Sequence, residues 1–576
     1  MTKKDKLNII VVKGKIYVET RNKKFNLERI YLVLACIGVI LTLIYIFKTS
    51  TSILTSDSVI TDVLAHEQKV NKQFFLKNWY YGNEFWFFSL SIPVFILSFF
   101  MSNQILIRQI SVLITAIIFF TILYKYGKKF LSKKDTWILI TIFLSGISYS
   151  ILDYFYAFNA YLTVVINSMI LLFMYFKSFE EKEKKKIYYI LGIVFTFMFN
   201  MGSLRYIPSV VIPFILTECI FIFIDNQESK RLKDLILKDS KVKKLFILSL
   251  VAICGFCTYK FLTVNLNFKN RASSTNYNTV EMASIQKGIN AIGDCVFNFF
   301  GYDNKDHPNT FMMPVGYFLG QHKKFSITSF RSLSYFIKFI ISIIFMVITP
   351  ITLFKNFKKN DRKIQFLIVF NTISWLIMIY CYLFTGEFFY NYSELKYFIF
   401  NIILTIILGI YCISKFYRKN STINKLFQML FIFYVIANLY QSASVIVEHD
   451  QKTLDRRYEL VNVLEKNELT FGYSGFWDGL LTYYLSDYKI TCVGLTLSKD
   501  IRANYWYSDK RWYQPNYHTD RTFFVMNSWE KNQKKSYIKI LGKPNKEIET
   551  ENYVIFIYNK NPLNNYFNWF LNKVHN

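Results

Sequence analysis

A chain of 576 residues with 53% hydrophobic residues, 59 Phe and 42 Tyr is too long for one ordinary domain and too apolar for a purely soluble one. Its formal charge of +30 would point to nucleic acid in a soluble protein, but here Lys and Arg gather in short stretches between long apolar runs, which is the pattern of membrane topology. The class that remains is a polytopic α-helical membrane protein.

Residues 1–29 are basic and belong in the cytoplasm by the positive-inside rule, with LNIIVVKGKIYVET reading as a short hairpin. They lead directly into a full-length apolar span at 30–48 with no small-residue cleavage site, so no cleavable signal peptide is expected. The domain that begins there runs over 30–441, and its first outer loop covers 49–104. From Ser58 onward Ile60, Val63, Leu64, Val70, Phe74 and Phe75 recur at helical spacing, with Ser58, Asp62, His66 and Lys69 on a polar side. This predicts an amphipathic helix along the membrane surface, followed by Trp79, Tyr80 and Tyr81 at headgroup level. The apolar segment 85–101 contains Pro93, and letting it span would place KYGKKFLSKK outside, against the charge rule. It is therefore read as re-entrant or interfacial beside a cavity, with the second span at 107–124.

Further spans are expected at 136–152, 157–176, 187–200, 206–224, 245–263, 332–353, 365–383, 397–414 and 426–441, giving eleven in all and an outer C-terminus. A long outer loop occupies 265–331. From 442 to 576 the chain turns polar, and its pattern alternates: helices at 453–466 and 476–486, strands at 469–473, 489–495, 522–526 and 553–558. This reads as a small extracytoplasmic α/β domain. Six of the eight cysteines lie in or near apolar spans, and the CxxC of Cys254 and Cys257 reads as packing. Only Cys295 and Cys492 look extracytoplasmic and able to pair.

Chemistry-bearing residues concentrate in the outer loops. Asp57 follows the first span closely, as either a general base or part of a helix cap with Ser56 and Ser58. Glu84, after WYYGN, is a capping acid or a second catalytic carboxylate. Asp62 and His66 share a face at i, i+4 spacing, as a substrate or ion contact or as a solvated pair. Arg205 in GSLRY sits at the outer end of a span, where a phosphate would match its guanidinium fork, or where it anchors the interface. Glu387, Glu394, Lys396 and Tyr397 cluster in GEFFYNYSELKY, and Asp303, Asp306 and His307 sit in the long loop. There is no phosphate-cradling glycine loop, no HExxH and no GxSxG, so any donor should be membrane-borne rather than a cytoplasmic nucleotide.

A first span, an outer loop opening on Asp57, an amphipathic helix, the turn WYYGNE, many spans and an outer C-terminal domain together resemble the GT-C class of integral membrane glycosyltransferases. Protein mannosyltransferases and aminoarabinose transferases are its better-known members. The resemblance implies a polyprenyl-phosphate-linked sugar donor, attack by a hydroxyl of a cell-envelope glycan outside the cell membrane, inversion at the anomeric carbon, and a carboxylate base in the first outer loop. By it Asp57 stands for the base and Glu84 for a later acid of that loop. Arg205 stands for the cation beside the lipid phosphate, and Lys396 with Tyr397 stands where the class carries an Arg-Tyr motif. Lysine there gives up bidentate phosphate geometry. Trp79 and Tyr80 are placed to stack on the sugar. Asp57 is followed by Ser58 rather than Glu, which leaves open whether a divalent cation, Mg²⁺ or Mn²⁺, takes part. Two rival classes share some of these features. A polysaccharide polymerase or O-antigen-ligase-type enzyme would use Arg and His of the large outer loop. A lipid-linked glycan transporter or flippase would carry mid-span charges and internal repeats, neither of which is visible here.

Overall fold

The computed structural model describes residues 8–12, 15–19, 27–82, 84–179, 185–225, 240–265, 282–301, 327–384, 392–417, 421–449, 451–497, 501–564 and 566. Among these, nine helices are long and apolar enough to cross a membrane, or ten if one bent pair counts as a single span. The chain is a multi-pass helical membrane protein. Burial separates the centre of the bundle from its rim: 78% of the apolar window of Ile399–Tyr417 is buried, against 28% for Ser240–Asn265 and 33% for Glu28–Ser52. The rim helices turn residues such as Leu32, Val33, Phe246 and Ile253 outward, as a lipid-facing surface requires.

The expected span 136–152 is not continuous. Helix Lys133–Leu144 and the segment Tyr149–Ala157 meet at 88°. Between them Gly146 adopts φ +86°, and a Cβ there would lie 2.3 Å from Ser442 Oγ, so the break needs glycine. Ser148 then restarts the helix, its Oγ accepting from Ile151 N at 3.1 Å. The segment after Glu84 forms only the short helix Ser91–Leu97. At 1.5 Å per residue that is about 10 Å, far short of a bilayer. The next helix, Gln104–Phe130, starts cleanly because Asn103 accepts from Leu106 N at 2.9 Å. Within the long loop 265–331, helix Met282–Phe299 is present. Asp303, Asp306, His307 and Glu387 lie outside the described residues.

Near the N-terminus, Asn8–Val12 pairs antiparallel with Lys15–Glu19. At the other end a six-stranded sheet runs in the order Ile501–Ala503, Thr491–Leu497, Phe471–Gly475, Thr522–Asn527, Tyr553–Tyr558, Lys546–Glu549. Phe471–Gly475 is parallel to both of its neighbours, and the outer pairings are antiparallel. Phe471–Gly475 and Tyr553–Tyr558 are buried at every position, as central strands covered on both faces should be. Cys492 lies in this sheet, its Sγ 3.2 Å from Ser474 Oγ, and Cys295 is buried in Met282–Phe299; neither is disulfide-bonded, so the pairing considered from sequence does not form.

The first loop departs most from its predicted surface position. Helix Ile60–Asn71 is wedged between the membrane bundle and the sheet, with the polar side chains of Asp62 and Glu67 buried. Asp62 pairs with Arg108 of Gln104–Phe130, and Glu67 accepts from Tyr483 OH at 2.7 Å. Trp79 and Tyr81 are buried too, and Trp79–Tyr80 pairs antiparallel with Ser508–Asp509. The polar stripe meets partners on remote elements instead of water.

Candidate active site

Arg205 occupies the turn before the helix Ile207–Asp225, where its backbone N donates to Ser203 Oγ at 3.2 Å. Its Nε donates to Glu84 Oε1. Its guanidinium carbon lies 4.6 Å from the Tyr397 ring centroid and 5.6 Å from those of Trp86 and Tyr161. Three aromatic faces hold the cation without using up its donors. Nη1 is buried with no hydrogen-bond partner, as is Glu84 Oε2. Burial works against the Arg205 charge, but Glu84, Tyr397 and Tyr161 outweigh it and raise the pKa.

Lys396 shares this cage. Its Nζ is 5.4 Å from the centroids of both Tyr161 and Tyr397. No carboxylate among the described residues lies within ion-pair distance of it. Two cations flanking the same two rings form a patch whose mutual repulsion an anion would relieve. Burial raises the Tyr397 phenol, and Arg205 and then Lys396 pull it back down.

Asp57, exposed in the first loop, lies close enough for the charge of Lys396 to act on its carboxyl. Its neighbour Ser56 is anchored to the sheet region, with Oγ 2.7 Å from Phe476 O and 2.9 Å from Trp477 O and accepting from Leu481 N at 3.3 Å. The capping alternative is not taken up: the helix begins at Ile60, and Val59 at its cap position makes no side-chain cap bond. Asp57 itself makes no hydrogen bond to a described residue. Its side chain is accessible to solvent, yet surrounding protein still raises its carboxyl pKa, with Lys396 opposing the rise.

Tyr507 reaches in from the sheet region. Its OH accepts from Trp86 Nε1 at 2.8 Å and donates to Glu84 O at 3.3 Å. Its ring fills the space over Gly82, where a Cβ would lie 2.4 Å away, and its own φ is +48°. Burial raises its phenol pKa, with Glu84 and Asp57 adding to the rise. Trp86, Tyr161 and Tyr507 were not legible as site residues: each reaches the cage only through tertiary contact, and no local pattern marks them.

The other sequence candidates lie elsewhere. Asp62 belongs to the buried pair with Arg108, which also donates to Ala157 O. His66 stacks on Tyr488 at 3.5 Å and meets Tyr483 edge-on at 6.2 Å. Burial, with Lys69 adding, pushes its pKa down to about 4, so it is neutral at pH 7. Trp79 is 1% exposed and packs T-shaped on Trp512, leaving no face for a sugar. Tyr80 packs on Tyr505 at 4.7 Å, with Lys510 Nζ 5.6 Å from its ring centroid. Asp62, His66, Trp79 and Tyr80 therefore hold the first loop to its neighbours, while Asp57, Glu84, Arg205, Lys396 and Tyr397 gather at one site. Among the described residues no group of three or more His, Cys, Asp or Glu side chains converges to hold a metal ion. No protein-family model matches this chain, and no curated protein sequence matches it.

The chemistry available at this site has three parts. An unpaired, solvent-reachable carboxylate can accept a proton. Two cations can neutralise a phosphate leaving group. Aromatic faces fix both cations in place.

Proposed function

We propose that this protein is a cell-membrane glycosyltransferase of the GT-C kind, moving a sugar from a polyprenyl-phosphate donor to an extracytoplasmic cell-envelope glycan with inversion. The observation that supports this reading best is the shared cage: Arg205 and Lys396 flank Tyr161 and Tyr397, and Asp57 lies within electrostatic reach of Lys396. In this mechanism Arg205 and Lys396 take the negative charge that develops on the phosphate as the anomeric C–O bond breaks. Asp57 removes the proton from the acceptor hydroxyl as its oxygen bonds to the anomeric carbon. Glu84 holds Arg205 by its Nε and leaves Nη1 for the phosphate. This makes Glu84 a positioning residue rather than a second base.

The topology belongs to the same proposal. Counting the bent pair and the shorter apolar helix Lys186–Gly202 each as one span gives eleven. That odd number puts the basic N-terminus inside and the sheet region, as an α/β domain, outside. Asp57 and Arg205 then open on the outer side, where polyprenyl-linked sugars are consumed.

The test is sugar release from a polyprenyl-phosphate donor in membranes. Asp57→Asn should slow turnover by about 10²–10⁴-fold and Arg205→Ala by about 10²–10³-fold. Wild-type turnover in the Asp57 variant defeats the base assignment, and no release by the wild type from any such donor defeats the whole reading.

A further inference from the structure

A second cleft, separate from the Arg205 cage, opens where the first and last membrane helices end. It measures about 360 Å³ and is lined by Tyr45, Thr49, Ser52, Tyr149, His449 and Arg457, among others. That volume suits a small-ligand site. Ser52 closes the apolar helix Glu28–Ser52, and across from it the apolar run of the last helix stops at Val447, before Glu448. The cleft therefore sits at headgroup depth rather than in the hydrocarbon core.

Its wall contains one polar group without a partner and one whose donors are only partly used. Thr49 is 2% exposed, and its Oγ1 has no hydrogen-bond partner. Arg457 makes one hydrogen bond, from Nη1 to Ser52 O at 3.3 Å, and no carboxylate among the described residues lies within ion-pair distance of it. His449, by contrast, is engaged at both nitrogens, Nδ1 2.8 Å from Ser52 Oγ and Nε2 3.1 Å from Gln451 Oε1. It fixes the wall rather than waiting for a ligand. Ile53 and Val445 supply an apolar side, and Glu448 stands exposed among the lining residues.

We infer that this cleft binds a phosphate ester, with the free part of the Arg457 fork and the Thr49 hydroxyl donating to its oxygens. A guanidinium that feels Asp478 only from beyond ion-pair distance and a buried hydroxyl with no acceptor are the complement of that anion. The apolar side wall matches an acyl or prenyl chain beside it. Glu448 repels a free phosphate dianion but suits the ammonium of a zwitterionic headgroup, so phosphatidylethanolamine should bind better than inorganic phosphate. This inference does not rest on the glycosyltransferase reading, because it concerns other residues and a binding readout.

The experiment uses the full chain in maltoside detergent, in an Arg205→Gln, Lys396→Gln background so that neither cation of the other site contributes. Inorganic phosphate and short-chain phosphatidylethanolamine are titrated separately by calorimetry. The expected result is one saturable phosphatidylethanolamine site, at least tenfold weaker in Arg457→Gln and in Thr49→Val, and partly restored in Arg457→Lys. Equal affinity for inorganic phosphate would assign the site to free phosphate instead of a lipid. Unchanged binding in both variants, or no saturable binding of either probe, would overturn the inference.

Discussion

At Asp57 two opposing influences can be separated by one substitution. Burial raises the carboxyl pKa and Lys396 lowers it. Removing the lysine charge therefore lets the pKa climb further, and a base must be deprotonated to act. Lys396→Gln should move the acid limb of the pH–rate profile to higher pH, in addition to weakening phosphate neutralisation. An acid limb that stays put would show that Lys396 does not face Asp57. His66 offers a stability counterpart. Its folded pKa is about 4 and its unfolded value about 6.5. Above about pH 6.5 neither state binds the proton and its contribution is complete. As pH falls toward about 4 the unfolded state takes up the proton and the folded state does not, so stability is lost across that window. Glu67, whose carboxyl burial raises, works in the opposite direction in the same helix. The comparison that isolates His66 is His66→Phe, which keeps a ring for Tyr488. The thermal midpoint of the wild type should fall relative to this variant between about pH 6.5 and 4, and parallel curves would contradict the assignment.

Among the elements, helix Ile60–Asn71 shows where sequence reading succeeds and where it stops. Its position and helicity followed from the spacing of Ile60, Val63 and Leu64. Its environment did not, because Arg108 and Tyr483, which neutralise and bond its buried acids, come from 46 and 416 residues away. Four strands and two helices after Gln451 were legible for the same local reason: Thr522–Asn527 and Tyr553–Tyr558 are β-branched and aromatic runs and form where expected, whereas Ile501–Ala503, Lys534–Leu541 and Lys546–Glu549 carry no such run and were not. The break at Gly146 was not, since the segment reads as one span and the need for glycine there appears only in its positive φ and the approach of Ser442. At the site, loop acids and cations could be picked out by type and position, but the rings that cage them could not. The buried Asp62–Arg108 pair carries its own prediction. Asp62→Ala leaves an uncompensated guanidinium, 3% exposed as a residue, and should cost about 3–5 kcal/mol. Adding Arg108→Met should recover much of that loss. Unfolding of the two variants in detergent checks it, and equal stabilities would mean that Arg108 finds water or another partner.

For the molecule as a whole, the first loop and the sheet form one core. Val59, Val63, Leu64, Trp79 and Tyr81 pack in a single cluster with Tyr473, Val493, Phe524 and Ile555. Backbone bonds join them as well, from Lys510 N to Asn78 O at 2.7 Å and through the Trp79–Asp509 pairing. Ser56, Glu67 and Gly82 each dock on the same region. The loop that carries Asp57 and Glu84 is thus held from the sheet side, and damage to the sheet should reach the site without touching it. Met526 lies in a central strand and is fully buried. Met526→Ala should cost about 2–5 kcal/mol. If loop and sheet open as one cooperative unit, amide exchange over 60–82 should accelerate by about 30-fold or more, in step with that over 471–527, because each 1.4 kcal/mol is a factor of ten in the opening equilibrium. Exchange in Gln104–Phe130 should be unaffected, since that helix packs chiefly in the other core. Acceleration confined to the sheet would mean that the loop is held from the membrane side through Asp62 and Arg108. The sheet would then be an appendage rather than a part of the site.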